Sequence, residues 1–234
     1  MMSPVYIRSA CAVGPSFGPE PDYREAIKDA GLRRRMGRIV RMSVACALKC
    51  LEDIRPDAII TATALGCLAD TEKFMGDLLE RGEQGLNPTP FIYSVFNTPG
   101  AQTALAEGIR SYNTTYVHRG DSFSSALADA LLCLSEGMDN VLVEAFDEVI
   151  SASEDILRRL GRYRECREGA VSFLLSRNPS PGCTAVSEVK FTGRTAGHPY
   201  ESMDAAASLY EAVVSGDAPR MVPLPLFDIC IGRS

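Results

Sequence analysis

Residues 120–127, GDSFSSAL, join the short β-branched run 113–118 (NTTYVH) to a helical segment at 122–137. A strand feeding straight into a helix places the helix N-terminus, with its unpaired N–H groups and positive dipole end, at the end of a sheet. The first turn carries small side chains, which let a second backbone or helix approach closely. A thiol set there has its pKa lowered, so the place suits a nucleophile. The central residue is instead Phe123, whose ring has no nucleophilic atom. Ser122 is expected to cap the helix, and Ser124 and Ser125 to permit close packing. A serine acting as the nucleophile needs a positioned base; His118 is the one histidine nearby, and no acidic orienter for it is identified. His198, in GRTAGHPY, is distant, and both histidines are read as structural. Along the helix, Phe123, Ala126, Leu127, Ala130, Leu131, Leu132 and Leu134 point in several directions, which suits burial on more than one side.

Outward from this stretch, strands and helices alternate. Residues 5–13 form the expected first strand, followed by a Gly/Pro-rich turn at 14–21. In 36–54, Ile39, Val40, Val44, Ala47, Leu48 and Leu51 recur at helical spacing. Arg34, Arg38 and Arg41 share one face of its start, read as a solvated face to which an acidic partner is the alternative. The run 57–64 (DAIITATA) is continuously apolar or β-branched, as in a strand buried on both sides of a parallel sheet. Helices are expected at 68–81 and 99–109, with a break at Asn87, Pro88 and Pro90 between them. The strand 140–146 follows helix 122–137, and then a polar helix at 151–160 and a charged loop at 162–168. Strands 170–176 and 183–192 are expected to form a hairpin about the turn 178–182. A last helix at 201–215 leads to an apolar, extended tail at 221–234 containing Pro223 and Pro225. The pattern predicts one α/β domain over residues 1–234, a mixed, mostly parallel sheet with helices on both faces.

Composition excludes several classes. With 46% hydrophobic and 23% charged residues the chain is neither disordered nor fibrous. A net charge of -6 disfavours nonspecific nucleic-acid binding. No apolar run approaches the roughly 20 residues of a membrane span, so a cytoplasmic protein is expected. The eight cysteines form no CxxC pair and are read as reduced core thiols. Cys46 and Cys50 are one helical turn apart, but both histidines lie in distant segments, so no metal site and no cofactor are expected.

At residues 121–127 (DSFSSAL) the chain resembles the β-ketoacyl synthases of the thiolase-like superfamily, whose cysteine nucleophile lies in a motif of the type T-A-C-S-S-x-L. Phe123 stands where that family has its cysteine. ITATALGCL at 60–68, NPTPFIYSVFNTPGAQTALAEGI at 87–109, VLVEAFDEV at 141–149 and EGAVSFLLSR at 168–177 resemble further family landmarks in the same order. The resemblance implies one layered α-β-α half of the thiolase-like fold. Condensing members draw two histidines, commonly with a lysine, from a C-terminal half that repeats the first; with Ser234 last, the resemblance implies that this catalytic half is absent. It further implies a noncatalytic, chain-length-factor-like subunit of fatty-acid, polyketide or aryl-polyene-type biosynthesis. Its partners would be an active ketosynthase in a heterodimer, or a second copy in a homodimer, and an acyl carrier protein. Ser122, Phe123, Ser124 and Ser125 form the motif, with Phe123 filling space that an acyl chain occupies in an active subunit, or serving simply as a core aromatic. The alternative is an acyltransferase or hydrolase using a serine near Phe123. Decarboxylating relatives carry glutamine at this position, whose amide donates hydrogen bonds that phenylalanine cannot. The helix beginning at Ser122 is expected to need a cover, from the tail 221–231 in part and from a partner for the rest.

Overall fold

Fully apolar strands require helices on both of their faces, and the computed structural model, which describes residues 4–216 and 219–233, supplies them around one eight-stranded sheet. In chain order the elements are β1 (Val5–Val13), α1 (Tyr23–Ala26), α2 (Ala30–Arg35), α3 (Arg38–Leu51), β2 (Ala58–Ala62), α4 (Leu68–Arg81), α5 (Pro88–Ser94), α6 (Thr98–Glu107) and β3 (Tyr112–Tyr116). They continue with α7 (Ser122–Ser135), β4 (Asn140–Asp147), α8 (Ser151–Arg159), β5 (Gly169–Ser176), β6 (Thr184–Phe191), α9 (Glu201–Ser215), β7 (Arg220–Pro223) and β8 (Phe227–Arg233). The strand order is β3-β2-β4-β5-β1-β6-β8-β7.

The sheet is mixed, but its parallel part is smaller than expected. Only β2 runs parallel to its neighbours β3 and β4; every other adjacent pair is antiparallel. The reason is that an unbroken apolar run reports cover on both faces rather than strand direction. Nearly all of β4 and all of β5 are buried, yet the two are antiparallel to each other. The expected hairpin of 170–176 and 183–192 is also corrected. β1 lies between β5 and β6, and its Tyr6 is paired with Ser176 on one side and Ala185 on the other. The turn at 178–182 therefore carries the chain past the end of β1.

Helices divide between the faces. Residues of α3, including Ile39, Val44 and Cys46, share an apolar cluster with Ile59, Leu142, Phe146 and Leu174 of the sheet. On the opposite face Phe123, Leu127 and Leu134 of α7 and Met203, Ala206 and Leu209 of α9 pack on Ile60, Val143, Phe173 and Ile229. Burying each large apolar side chain of this kind stabilises the fold by about 1.5–3 kcal/mol. Cover for α7 comes from α9, which contacts it directly and stood outside the expected cover by the tail in part and a partner for the rest. The tail is a β7–β8 hairpin added to β6 at the sheet edge, with Ser234 outside the described residues.

Three short helices escaped the periodicity. Asp22 and Asp29 accept from the N–H groups of Arg24 and Leu32 and so start α1 and α2. The expected break at 87–90 is partly a helix start: Asn87 accepts from Thr89 N–H at 3.0 Å, and Pro88 occupies the first helical position, where its missing N–H is harmless.

Candidate functional site at the start of helix α7

β3 lies at the sheet edge, and the chain leaves it through His118 and a tight turn at Arg119–Asp121 before entering α7. Arg119 adopts φ 51°, a left-handed conformation unfavourable for a side-chain-bearing residue. Gly120 has no room for a side chain, because a Cβ there would overlap the His198 carbonyl and Ala196. The segment leading into α9 thus sits directly on the turn before α7.

That segment closes the helix start. The Asp121 carboxylate accepts from Ala196 N–H at 2.7 Å, and Phe123 N–H donates to Ser202 Oγ at 3.2 Å. Phe123 is 0% exposed and its ring lies 5.7 Å from that of Phe173 on β5, at 41°. An N–H that would otherwise face an incoming anion is taken by a serine from another helix. Sequence reading missed Ala196, Tyr200 and Ser202 here; the available signal was Gly120, which requires a close backbone.

The motif serines diverge. Ser122 does not cap as expected: it is the first helical residue, and its Oγ donates to Arg119 O at 2.6 Å and accepts from His118 N–H at 2.7 Å, bracing the preceding turn instead. Ser124 Oγ is buried with no hydrogen-bond partner among the described residues. Ser125 Oγ lies 3.2 Å from His118 Nδ1 near the surface. His198 holds the cover segment, its Nε2 lying 3.1 Å from Arg162 O while Tyr200 N–H reaches its Nδ1 at 3.3 Å.

Two buried carboxylates at the end of β4 support the neighbouring turn. Asp147 Oδ1 accepts from Thr63 Oγ1 at 2.6 Å and from the N–H groups of Ala64 and Leu65 at 2.9 and 2.7 Å. Burial pushes its carboxyl up to about 6, against these hydrogen bonds, which favour the charged form. Glu148 accepts from Ala69 N–H at 2.8 Å, and burial raises its carboxyl too. Both act as clamps on residues 63–69.

Around the site, Tyr112, Val117 and Leu132 are exposed beside β3, and Met75, Leu79, Phe91, Ile92, Val95 and Phe96 are exposed on and just after the α4–α5 pair. Of the basic face read from sequence, Arg38 pairs with Glu20 and Glu168, and Arg41 stacks over Tyr23. Among the described residues no carboxylate pairs with Arg33, Arg34 or Arg35; their guanidinium groups donate to the carbonyls of Ile27, Ala30 and Gly31. Among the described residues no cluster of His, Cys, Asp and Glu is arranged to hold a metal ion, and no helix is long and apolar enough to cross a membrane.

Residues 20–207 match the profile of the β-ketoacyl synthase N-terminal domain. No functionally curated protein matches the sequence. The fold is similar to a chain of the ApeO ketosynthase in complex with its chain length factor ApeC from Xenorhabdus doucetiae, with TM-score 0.71 and 17% identity, covering 98% of this chain and 99% of that one. It is also similar to the ishigamide ketosynthase/chain length factor, with TM-score 0.66 and 16% identity over 81% of this chain and 67% of that one. A third likeness is to AntDE:AntF, a type II acyl carrier protein in complex with its ketosynthase, with TM-score 0.68 and 14% identity over 91% and 74%. At these identities the structural likeness establishes the fold, and the sequence profile, spanning most of the length, establishes the family: the chain belongs to the β-ketoacyl synthase N-terminal domain family.

Proposed function

We propose that this chain is a noncatalytic, chain-length-factor-like subunit that pairs with an active ketosynthase in fatty-acid, polyketide or aryl-polyene-type biosynthesis. One observation carries the reading: the start of α7 has Phe123 where the family places its nucleophile, and the N–H of that residue is bonded to Ser202. Acyl transfer needs both an attacking atom and donors for the developing oxyanion. Phe123 offers neither, so the subunit's contribution is steric and structural. Two of the similar solved structures are ketosynthases with chain length factors, which supports the same reading.

The partner would add to the open edge of β3, where Tyr112, Val117 and Leu132 are exposed. Phe123 fills the core against Phe173 of β5, and the exposed apolar row of Phe91, Ile92, Val95 and Phe96 is the surface available to wall a growing chain. The three arginines of α2 suit an acidic acyl carrier protein. Co-expression with a ketosynthase and an acyl carrier protein tests this: a stable heterodimer is expected, with product length changing when Phe91 or Phe96 is replaced by Ala. Failure to form a heterodimer, with products unaltered, would sink it.

A second reading rests on the Ser125–His118 contact, in which a hydroxyl lies within hydrogen-bond reach of a base. No carboxylate orients His118 among the described residues' hydrogen bonds, and Phe123, Ser124 and Ser202 occupy the adjoining space. An acyl-thioester probe that labels the isolated chain, with labelling lost in Ser125→Ala and in His118→Gln, would establish this reading over the first.

A further inference from the structure

One register row of the sheet is polar on the face covered by α3. Thr115 of β3 lies opposite Thr61 of β2, Thr61 opposite Glu144 of β4, Glu144 opposite Ser172 of β5, and Ser172 opposite Cys11 of β1. Side chains two apart on a strand share a face. Leu142 and Phe146 belong to the α3-side cluster, so Glu144 between them points beneath α3. There Ser43 from α3 and Ser172 from β5 flank its carboxyl.

The ends of the row are satisfied and its middle is not. The Thr61 and Thr115 hydroxyls are 2.7 Å apart, and the Cys46 thiol donates to the carbonyls of Cys11 and Ala170 at 3.1 and 3.5 Å. Both Glu144 carboxyl oxygens, Ser43 Oγ and Ser172 Oγ are buried and meet no partner at full hydrogen-bond geometry among the described residues, although the two hydroxyls lie close enough to favour the charged carboxylate against the larger effect of burial. All three residues are 0% exposed. The titratable groups facing Glu144 are the thiols of Cys11 on β1 and of Cys46 and Cys50 on α3; α3, β2 and β5 bring hydroxyls, and among the described residues no Lys, Arg or His acts on it. An ionised carboxylate here would be a buried charge with no counter-ion.

We propose that Glu144 is held as a neutral acid and, with Ser43 and Ser172, encloses a site for ordered water beneath α3 that makes the fold less stable as pH rises through neutrality. A neutral carboxyl and two hydroxyls present three O–H donors and several lone pairs, a set that bridging water completes with two to four hydrogen bonds. Burial pushes the Glu144 carboxyl up to about 8 from an ordinary 4.5. The folded chain then binds more protons than the unfolded chain between those values. Its stability falls as pH rises from 4.5 to about 8 and is flat above. This inference does not rest on the subunit role proposed above.

Denaturant unfolding of the full chain from pH 4.5 through pH 8, compared with Glu144→Gln, tests it, alongside infrared spectra of chain labelled with carboxyl-13C glutamate. The wild-type unfolding constant is expected to rise by up to about tenfold per pH unit more steeply than that of Glu144→Gln. A protonated glutamate carbonyl band should be present at neutral pH, bleach as pH rises, and be missing in the variant. If Glu144→Gln does not fold, the wild-type band and its pH dependence decide alone. Absence of the band overturns the proposal, as do parallel stability profiles. Stabilisation by potassium or sodium over tetramethylammonium at equal ionic strength, lost in Glu144→Gln, also overturns it, because a carboxylate holding a cation is then the occupant.

Discussion

The two edges of the sheet are built on opposite principles. β7, at one end, is four residues long, ends in Pro223, follows Pro219 and carries Arg220. Proline and a charged residue on a short strand block further strand addition. β3, at the other end, reads YNTTY, with neither proline nor charge; its own Tyr112 is exposed, as are Val117 and Leu132 nearby. An open edge with β-branched residues and an apolar surround invites a strand from another chain. The contrast teaches that this fold protects one edge from pairing and leaves the other available, which gives the proposed partner a place.

The contrast can be tested, beginning with α7, the helix that packs beside β3. Phe123→Ala should destabilise the chain by about 3–5 kcal/mol, because the side chain is fully buried against Phe173 and leaves a cavity. Urea unfolding measures this, and a change below about 1 kcal/mol would mean that α7 is not braced as described. In Phe123→Cys no acylation by a thioester probe is expected, since Ser202 still holds the N–H of that residue. Next in size, the double change Val117→Asp with Leu132→Asp should weaken ketosynthase association on the order of 100-fold while shifting thermal unfolding little. Undiminished binding would move the interface away from β3.

A smaller effect should distinguish the two ends by pH. Asp147, raised to about 6, clamps the turn after β2 on the β3 side. Its raised carboxyl makes stability fall as pH rises from about 4 to about 6 and level off above, and Asp147→Asn should flatten that slope. Smallest of all, Met221→Asp on β7 should leave partner binding within error of wild type. Pro223→Thr should introduce weak self-association detectable by sedimentation, and its absence would show that proline is not what blunts this edge.

The legible parts of the molecule were those fixed by local chemistry. Helix α3 was visible in the spacing of Ile39, Val40, Val44, Ala47, Leu48 and Leu51, and the turn into α7 in the small residues after Gly120. Strand direction was not legible, because full burial of β4 and β5 arises equally in parallel and antiparallel neighbours. Nor was the place of β1, since a turn at 178–182 reads as a reversal, whereas β5 and β6, each antiparallel to β1, run in the same direction on either side of it. At the candidate site, Phe123 and its serines were readable as a motif. Their meeting with Ala196, His198 and Ser202 was not, because it depends on long-range packing of α9.

The position of β1 between β5 and β6 has a consequence for how the chain is made. Ribosomal synthesis releases Val5–Val13 long before Gly169–Ser176 and Thr184–Phe191, the strands to which it is paired. Through most of elongation this alternating apolar segment has no native neighbour, and closing so long a loop carries an entropic penalty that grows with its length. Assembly of the sheet centre is therefore expected to be late and slow. Yield in a heterologous host should accordingly depend on chaperone supply and on lower growth temperature.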